Sequence, residues 1–339
     1  MAIRLVVLGL GRRGREWVGV LRAAPGFELV GAVEPDPGRR RAAAATLGLP
    51  DGLCHDRLDA AIEAGAPQAA IVATSIDSHV EPCRAALARG LGVLVEKPFA
   101  LCLRDARSLV AEAEARQLPL MVGQNYRHMR MPRSLRRLFA SGQLGRVGVV
   151  IIQTYRSRKE TAPALLTLPN SVLWEIAVHH LDVLRHALDR RAVRVLAQRF
   201  TLPWSDAPPG ASLQLLLEFE DGVRASLTAS YDVRGHEFFE RGQEFYLRAV
   251  SDRGTLHVFH RWLVWCERGR LPRFLRRGPR PEVEEMTLLR QLGRALTDGT
   301  EPESSGRDNL QTMAILEACA RSAAEGRWIN PQDLFDEPL

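Results

Sequence analysis

Short apolar runs recur through the first third of the chain, at residues 3–8, 28–33, 69–73, 92–95 and 118–122. Continuous apolar character, as opposed to alternation, predicts strands buried on both faces, as in a parallel sheet. Between them, 15–24, 39–47, 80–89 and 103–116 are amphipathic and alanine-rich. Strands alternating with helices of about 10–15 residues predict βαβ units in a doubly wound sheet. The pattern changes near Gly123. Segments 147–155, 193–201, 212–219, 224–231, 244–250 and 255–259 alternate apolar and polar residues, with turn chemistry at 220–222 and 251–254. These predict an antiparallel sheet, interrupted by a long helix at 171–188. A closing helix at 308–325 stops at Gly326. The expected division is an α/β domain over 1–122 and a second α/β domain over 123–339.

Composition changes this picture in a few places. Of 46 basic residues only Lys97 and Lys159 are lysines. Arginine stays protonated in proteins, whereas a lysine ammonium can be tuned toward neutrality. Lys97 follows the run 92–95 in Val95-Glu96-Lys97-Pro98, and the exit of a parallel strand faces the crevice where such sheets bind ligands. A biased genome leaving a few lysines by chance is the bland alternative. Five cysteines without a CxxC pair predict reduced thiols and a cytoplasmic location. No apolar stretch reaches 18 residues, so no membrane partner is expected. The apolar run 3–10 leads into a glycine turn without a signal-peptide cleavage site. The net charge of +6 is modest, and its arginine-rich stretch at 268–280 is read as a solvated connection. No nucleic-acid motif accompanies it, so no nucleic-acid partner is expected.

Gly9-x-Gly11-x-x-Gly14 follows a predicted strand and opens a predicted helix, and Glu34 stands 20 residues after Gly14. Glycines there permit a tight turn and close approach of a pyrophosphate to a helix N-terminus. A carboxylate at Glu34 can accept both adenine-ribose hydroxyls and would repel a 2′-phosphate, which favours NAD. Arg12, Arg13, Arg39 and Arg40 keep NADP open.

The helix at 171–188 carries Glu175, His179, Asp182 and His186 on one face of an otherwise apolar segment. A titratable stripe in such a setting needs partners or work. His179 could take a proton from a substrate hydroxyl, with Glu175 orienting its other ring nitrogen. Competing readings are a structural network through Asp182 and His186, a metal site, and His180 as the working histidine. No HExxH or ExxH bundle signature is present, so no metal is expected.

Together these pieces resemble the glucose–fructose oxidoreductase and inositol dehydrogenase family, Gfo/Idh/MocA. The resemblance rests on 9–14, Val72-Ala73-Thr74-Ser75-Ile76-Asp77-Ser78-His79, Glu96-Lys97-Pro98 and Gly123-Gln124-Asn125-Tyr126-Arg127. It continues through Ser141-Gly142-Gln143-Leu144-Gly145, Glu175-xxx-His179-xx-Asp182 and the tail 306–328. It implies an N-terminal Rossmann domain, and a C-terminal α/β domain whose large open antiparallel sheet packs on another subunit as a homodimer or homotetramer. It implies NAD(P)-dependent oxidation or reduction of a secondary alcohol or ketone on a sugar, cyclitol or sugar derivative. Lys97 then bridges cofactor and substrate, and His179 is the acid/base with Glu175 beside it. The cofactor contacts would come from Gly9, Gly11, Arg12, Arg13, Gly14, Glu34, Thr74, Ser75, His79, Glu96 and Lys97. Two departures stand out: Glu175 occupies a position often held by aspartate, and Ser75 one often held by proline.

Arg156, Arg158 and Lys159 end the strand 147–155, where the family builds its substrate wall. They read either a carboxylate or phosphate on the substrate or belong to a solvated strand end. Arg127 and His180 join them as substrate candidates. Two rival activities remain: an NAD-dependent glycosidase without net redox change, and a non-catalytic dinucleotide-sensing regulator.

Overall fold

The computed structural model describes residues 2–156, 170–205, 210–231, 243–259, 262–279 and 281–338. It divides into two compact units, Met1–Asn125 with Glu282–Met313 and Tyr126–Pro281 with Ala314–Pro338.

In the first unit β1 (Ile3–Leu8), α1 (Arg12–Ala23), β2 (Phe27–Val33), α2 (Pro37–Leu47), β3 (Cys54–His55) and α3 (Leu58–Gly65) lead to β4 (Ala69–Val72). Then follow α4 (Val80–Ala88), β5 (Gly92–Val95), α5 (Leu103–Ala115) and β6 (Leu120–Val122). The six strands are parallel, in the order β3-β2-β1-β4-β5-β6. That is the Rossmann order, with its switch point between β1 and β4, where ligands of such sheets bind. The run 5–8 of β1 and all of β4 and β5 are buried, as the unbroken apolar runs demand.

The second unit opens with α6 (Arg130–Ala140) and β7 (Val147–Arg156). A π-helical turn at Leu173–Ala177 precedes α7 (Val178–Leu188). Seven further strands follow: β8 (Ala192–Phe200), β9 (Ser212–Phe219), β10 (Arg224–Ser230), β11 (Gln243–Ser251), β12 (Gly254–Phe259), β13 (Trp262–Glu267) and β14 (Arg273–Phe274). They form one eight-stranded sheet, β14-β13-β12-β11-β7-β10-β9-β8. All neighbours are antiparallel except β10 and β7, which run parallel. One face buries Val150, Ile152, Leu213, Leu215, Leu217, Leu227 and Leu247, while Val149, Leu216, Phe259 and Trp262 stay exposed.

Two helices complete the chain, α8 (Glu284–Asp298) and α9 (Gly306–Glu325). The sequence reading placed both in the second domain, yet α8 and the start of α9 belong to the first unit. The cause is apolar packing: Leu288, Leu289 and Leu292 of α8 are fully buried in one cluster with Leu5, Val7, Leu21 and Ile71. Within the arginine-rich stretch, Arg273 and Phe274 form β14 and pair with Trp265 and Val264. The helix expected at 171–188 is present, but the π turn within it changes the local angular step.

Candidate active site

In the first unit each glycine of the turn has its own steric reason. Gly9 has φ +90°, and a Cβ there would lie 2.8 Å from the Ala73 carbonyl oxygen. A Cβ on Gly14 would run into the Gly9 carbonyl. Gly11 differs: a Cβ there meets nothing within 4 Å. The protein fills the space around two of the glycines and leaves the third open. Gly11 is also the N-cap of α1, with no side-chain cap and no acidic residue in the first turn. Uncapped N–H groups facing an open concavity suit a pyrophosphate.

Glu34, at the exit of β2, is buried, and its carboxylate accepts from the Leu10 amide (3.2 Å) and the Asp36 amide (3.3 Å). The arginines that kept NADP open are engaged by the protein. Arg39 lies 3.3 Å from Glu34, Arg12 bonds Glu16, and Arg40 donates to the Glu34 and Pro35 carbonyls. Arg13 turns inward to Glu96, Glu16 and Glu285.

Beyond β4, the turn at 75–78 is closed by the Ser78 amide on the Ser75 carbonyl (2.8 Å) and by a Ser75–Ser78 hydroxyl bond (3.0 Å). Thr74 Oγ1 donates to the Ser78 carbonyl. Ser75 has φ −68°, within the range proline would impose, so serine keeps the backbone proline would give. His79 is buried, and its Nδ1 lies 2.8 Å from the Pro98 carbonyl oxygen. A carbonyl only accepts, so Nδ1 carries the proton. Burial holds the imidazole below its usual pKa, partly offset by the Pro98 bond. His79 thereby ties the turn after β4 to the Glu-Lys-Pro turn after β5. Lys97 is half-buried at that exit, and the Lys97–Pro98 peptide is cis.

The second unit holds the helix residues. His179 is buried and stacked on Tyr126, ring centroids 3.8 Å apart and planes 12° apart. His180 stacks on Phe245 at 5.2 Å and meets Tyr126 edge-on. Burial, with the Arg156 charge adding to it, pushes His180 down to about 3, so it is neutral at physiological pH. Glu175 sits in the π turn with its carboxylate 3.8 Å from Arg156. Burial raises the Tyr231 phenol above its ordinary value, with Glu175 contributing. Asp182 and Arg127 form a wholly buried pair, with Nε and Nη2 at 2.5 and 2.7 Å from the carboxylate. Arg127, read from sequence as a substrate contact, therefore anchors α7 instead. His186 contacts Arg136. Arg158, Lys159 and residues 161–169 lie outside the described residues. Among those described, no group of three or more His, Cys, Asp or Glu is placed to hold a metal ion, and no helix is long and apolar enough to cross a membrane.

Several contributors were not singled out from sequence. Trp17 and Glu285 hold Glu96 and Arg13. Tyr126 was within a quoted motif, but nothing in its spacing signals a stack on His179.

A Rossmann sheet with an open pyrophosphate cradle, joined in one chain to a large mostly antiparallel sheet, defines a dinucleotide-binding oxidoreductase. Two family descriptions match: "Oxidoreductase family, NAD-binding Rossmann fold" over residues 3–124 and "GFO/IDH/MocA C-terminal domain" over residues 133–271. The chain belongs to the Gfo/Idh/MocA oxidoreductase family. It is 29% identical to a D-apiose dehydrogenase of Paraburkholderia graminis, covering 98% of this chain and 90% of that protein. It is 26% identical to an inositol 2-dehydrogenase of Rhizobium meliloti, covering 97% and 99%. Among solved structures, an Agrobacterium radiobacter oxidoreductase in complex with NAD+, L-tartaric acid and magnesium matches with TM-score 0.86 at 20% identity, covering 98% of this chain and all of that one. An Azotobacter vinelandii inositol dehydrogenase homolog complexed with NADH and myo-inositol matches at 0.81 and 23% identity, covering 97% and 98%. At these identities the structures establish the fold.

Proposed function

We propose that this protein oxidises a secondary alcohol, or reduces the matching ketone, on a sugar, cyclitol or sugar derivative, using NAD. The observation that carries the reading is the open cradle at Gly11 in the same unit as Lys97 at the exit of β5. A bound nicotinamide supplies the hydride acceptor or donor. Lys97 hydrogen-bonds the substrate oxygen and stabilises its developing negative charge, and His179 accepts the hydroxyl proton in the oxidation direction. Tyr126 fixes the plane of the His179 ring, and the Arg127–Asp182 pair fixes the helix that carries it. Glu34 accepts the adenine-ribose hydroxyls and disfavours a 2′-phosphate.

Unit 2 offers features suited to a polyhydroxylated ligand. His180 Nε2 and Thr154 Oγ1 are buried with no hydrogen-bond partner among the described residues, which leaves capacity for ligand hydroxyls. Arg156 and Arg158 would read an anionic substituent. The exposed Val149, Leu216, Phe259 and Trp262 support a homodimer or homotetramer built through the eight-stranded sheet, and a monomer in sedimentation equilibrium would refute it. The free cysteines fit a cytoplasmic location.

The test is a titration of stripped protein with NAD(H) and NADP(H), repeated with Glu34→Ala, followed by a sugar and cyclitol screen read by NADH absorbance. Tight NAD(H) binding that weakens in Glu34→Ala, and turnover lost in Lys97→Met and His179→Ala, are expected. Normal turnover in both of those variants would sink the mechanism.

A further inference from the structure

His179, the second residue of α7, is buried, and the flat of its ring lies against the half-buried Tyr126 of the turn Asn125–His128. The ring centroids are 3.8 Å apart and the planes 12° apart. Charged groups on the surrounding elements are turned to one another. Asp182, on the same helix, holds Arg127 from the turn that carries Tyr126. Glu175 of the π turn lies 3.8 Å from Arg156 at the end of β7, and His186 contacts Arg136 of α6. Burial keeps the Tyr231 phenol neutral, and burial together with Arg156 keeps His180 neutral. Directly on the His179 ring, then, lies the electron-rich face of a phenol.

We infer that Tyr126 is a positioning residue that raises the proton affinity of His179, its π face stabilising the imidazolium formed when the substrate proton arrives. This rests on the reading of His179 as the acid/base. In oxidation the carbinol hydride leaves for the nicotinamide, the hydroxyl proton passes to His179, and the carbonyl double bond forms. The imidazole thereby becomes a cation at a buried position, where desolvation penalises charge. A cation within about 6 Å of an aromatic centroid is attracted by the ring quadrupole, which corresponds to a histidine pKa higher by about 0.4 to 1.5. The 3.8 Å stack falls well inside that range. Tyr126 therefore acts on the proton through His179, and it does so with its ring, independently of its hydroxyl.

Deuterium exchange at the imidazole C2 position follows the protonation state of the ring, so its pH midpoint reports the pKa of one histidine. Full-length protein without dinucleotide or substrate is exchanged across a pH series and digested with trypsin. The peptide Glu160–Arg185 contains His179 and His180 as its only histidines, and electron-transfer fragments separate the two. In Tyr126→Leu the His179 midpoint is expected to fall by about 0.4 to 1.5. Tyr126→Phe keeps the π face, loses the hydroxyl and should leave the midpoint in place. A purely structural Tyr126 gives the opposite sign, because lost packing admits water and makes the charged ring easier to form. Should Tyr126→Leu fail to give the wild-type far-ultraviolet dichroism spectrum, 4-cyanophenylalanine at the same position decides. Its nitrile draws electron density from the ring face at nearly unchanged shape, and the midpoint should again fall. A midpoint that rises or stays put in whichever variant decides, or that falls as far in Tyr126→Phe, overturns the inference. The exchange is read without turnover, so normal activity in His179→Ala would remove the acid/base reading and leave the measured proton affinity standing.

Discussion

Replacing His180 with phenylalanine should change how stability responds to acid. The ring lies parallel to Phe245, 13° between planes, so phenylalanine keeps the stack and removes the titrating nitrogens. Unfolded, a histidine binds a proton near pH 6.5, whereas burial and Arg156 push the folded value down to about 3. Between those values the unfolded chain holds a proton that the native one lacks, so stability falls as pH falls. One unit corresponds to about 1.4 kcal/mol. The wild type should therefore lose about 2 kcal/mol from this group by pH 5 and about 4 kcal/mol by pH 3. Urea unfolding of both proteins at each pH gives the difference, in which carboxylate titrations common to both cancel. Relief of the unsatisfied Nε2 adds a constant offset, so the slope is the signature. A difference that stays flat from pH 7.5 to pH 5 would refute a buried neutral His180.

Gly11→Ala should fold normally, because its Cβ meets nothing, yet bind NAD about tenfold or more weakly by titration, while Gly14→Ala should lower the melting temperature outright. Breaking the buried pair with Asp182→Ala should cost about 3–5 kcal/mol, because it strands the Arg127 charge; chemical denaturation measures it. The double variant Arg127→Met, Asp182→Leu should recover much of that loss.

The first unit was legible because its strands are buried on both faces: continuous runs such as 92–95 cannot be mistaken for a half-buried strand. β1 and β5 have the predicted bounds, Ile3–Leu8 and Gly92–Val95. Strands β8 to β12 were equally visible through alternation. Less visible was anything decided by packing at a distance. The helix α8 was not read from the sequence, and the contacts of Leu288 and Leu292 are what assign it to the first unit. The parallel pairing of β10 with β7 likewise depends on strands 68 or more residues apart in the chain.

The site divides along the same line. The glycine turn, Glu34 and Lys97 are local signals: Gly11 is the N-cap of α1, and Glu34 and Lys97 stand at the exits of β2 and β5. Arg13 shows where such reading stops. By motif position it looks like a phosphate contact, since it follows Gly11 by two residues and carries the right charge. Its partners lie 83 and 272 residues away, at Glu96 and Glu285, and they turn the guanidinium inward. Arg127 repeats the case from the other direction. A basic residue within a motif suggests a ligand, but a carboxylate 55 residues on accepts from its Nε and Nη2. In a chain whose basic residues are almost all arginine, sequence position cannot separate a guanidinium that faces a ligand from one that neutralises a buried carboxylate. The carboxylates decide it, so acid partners such as Glu96 and Asp182 are where variants of this site carry the most information.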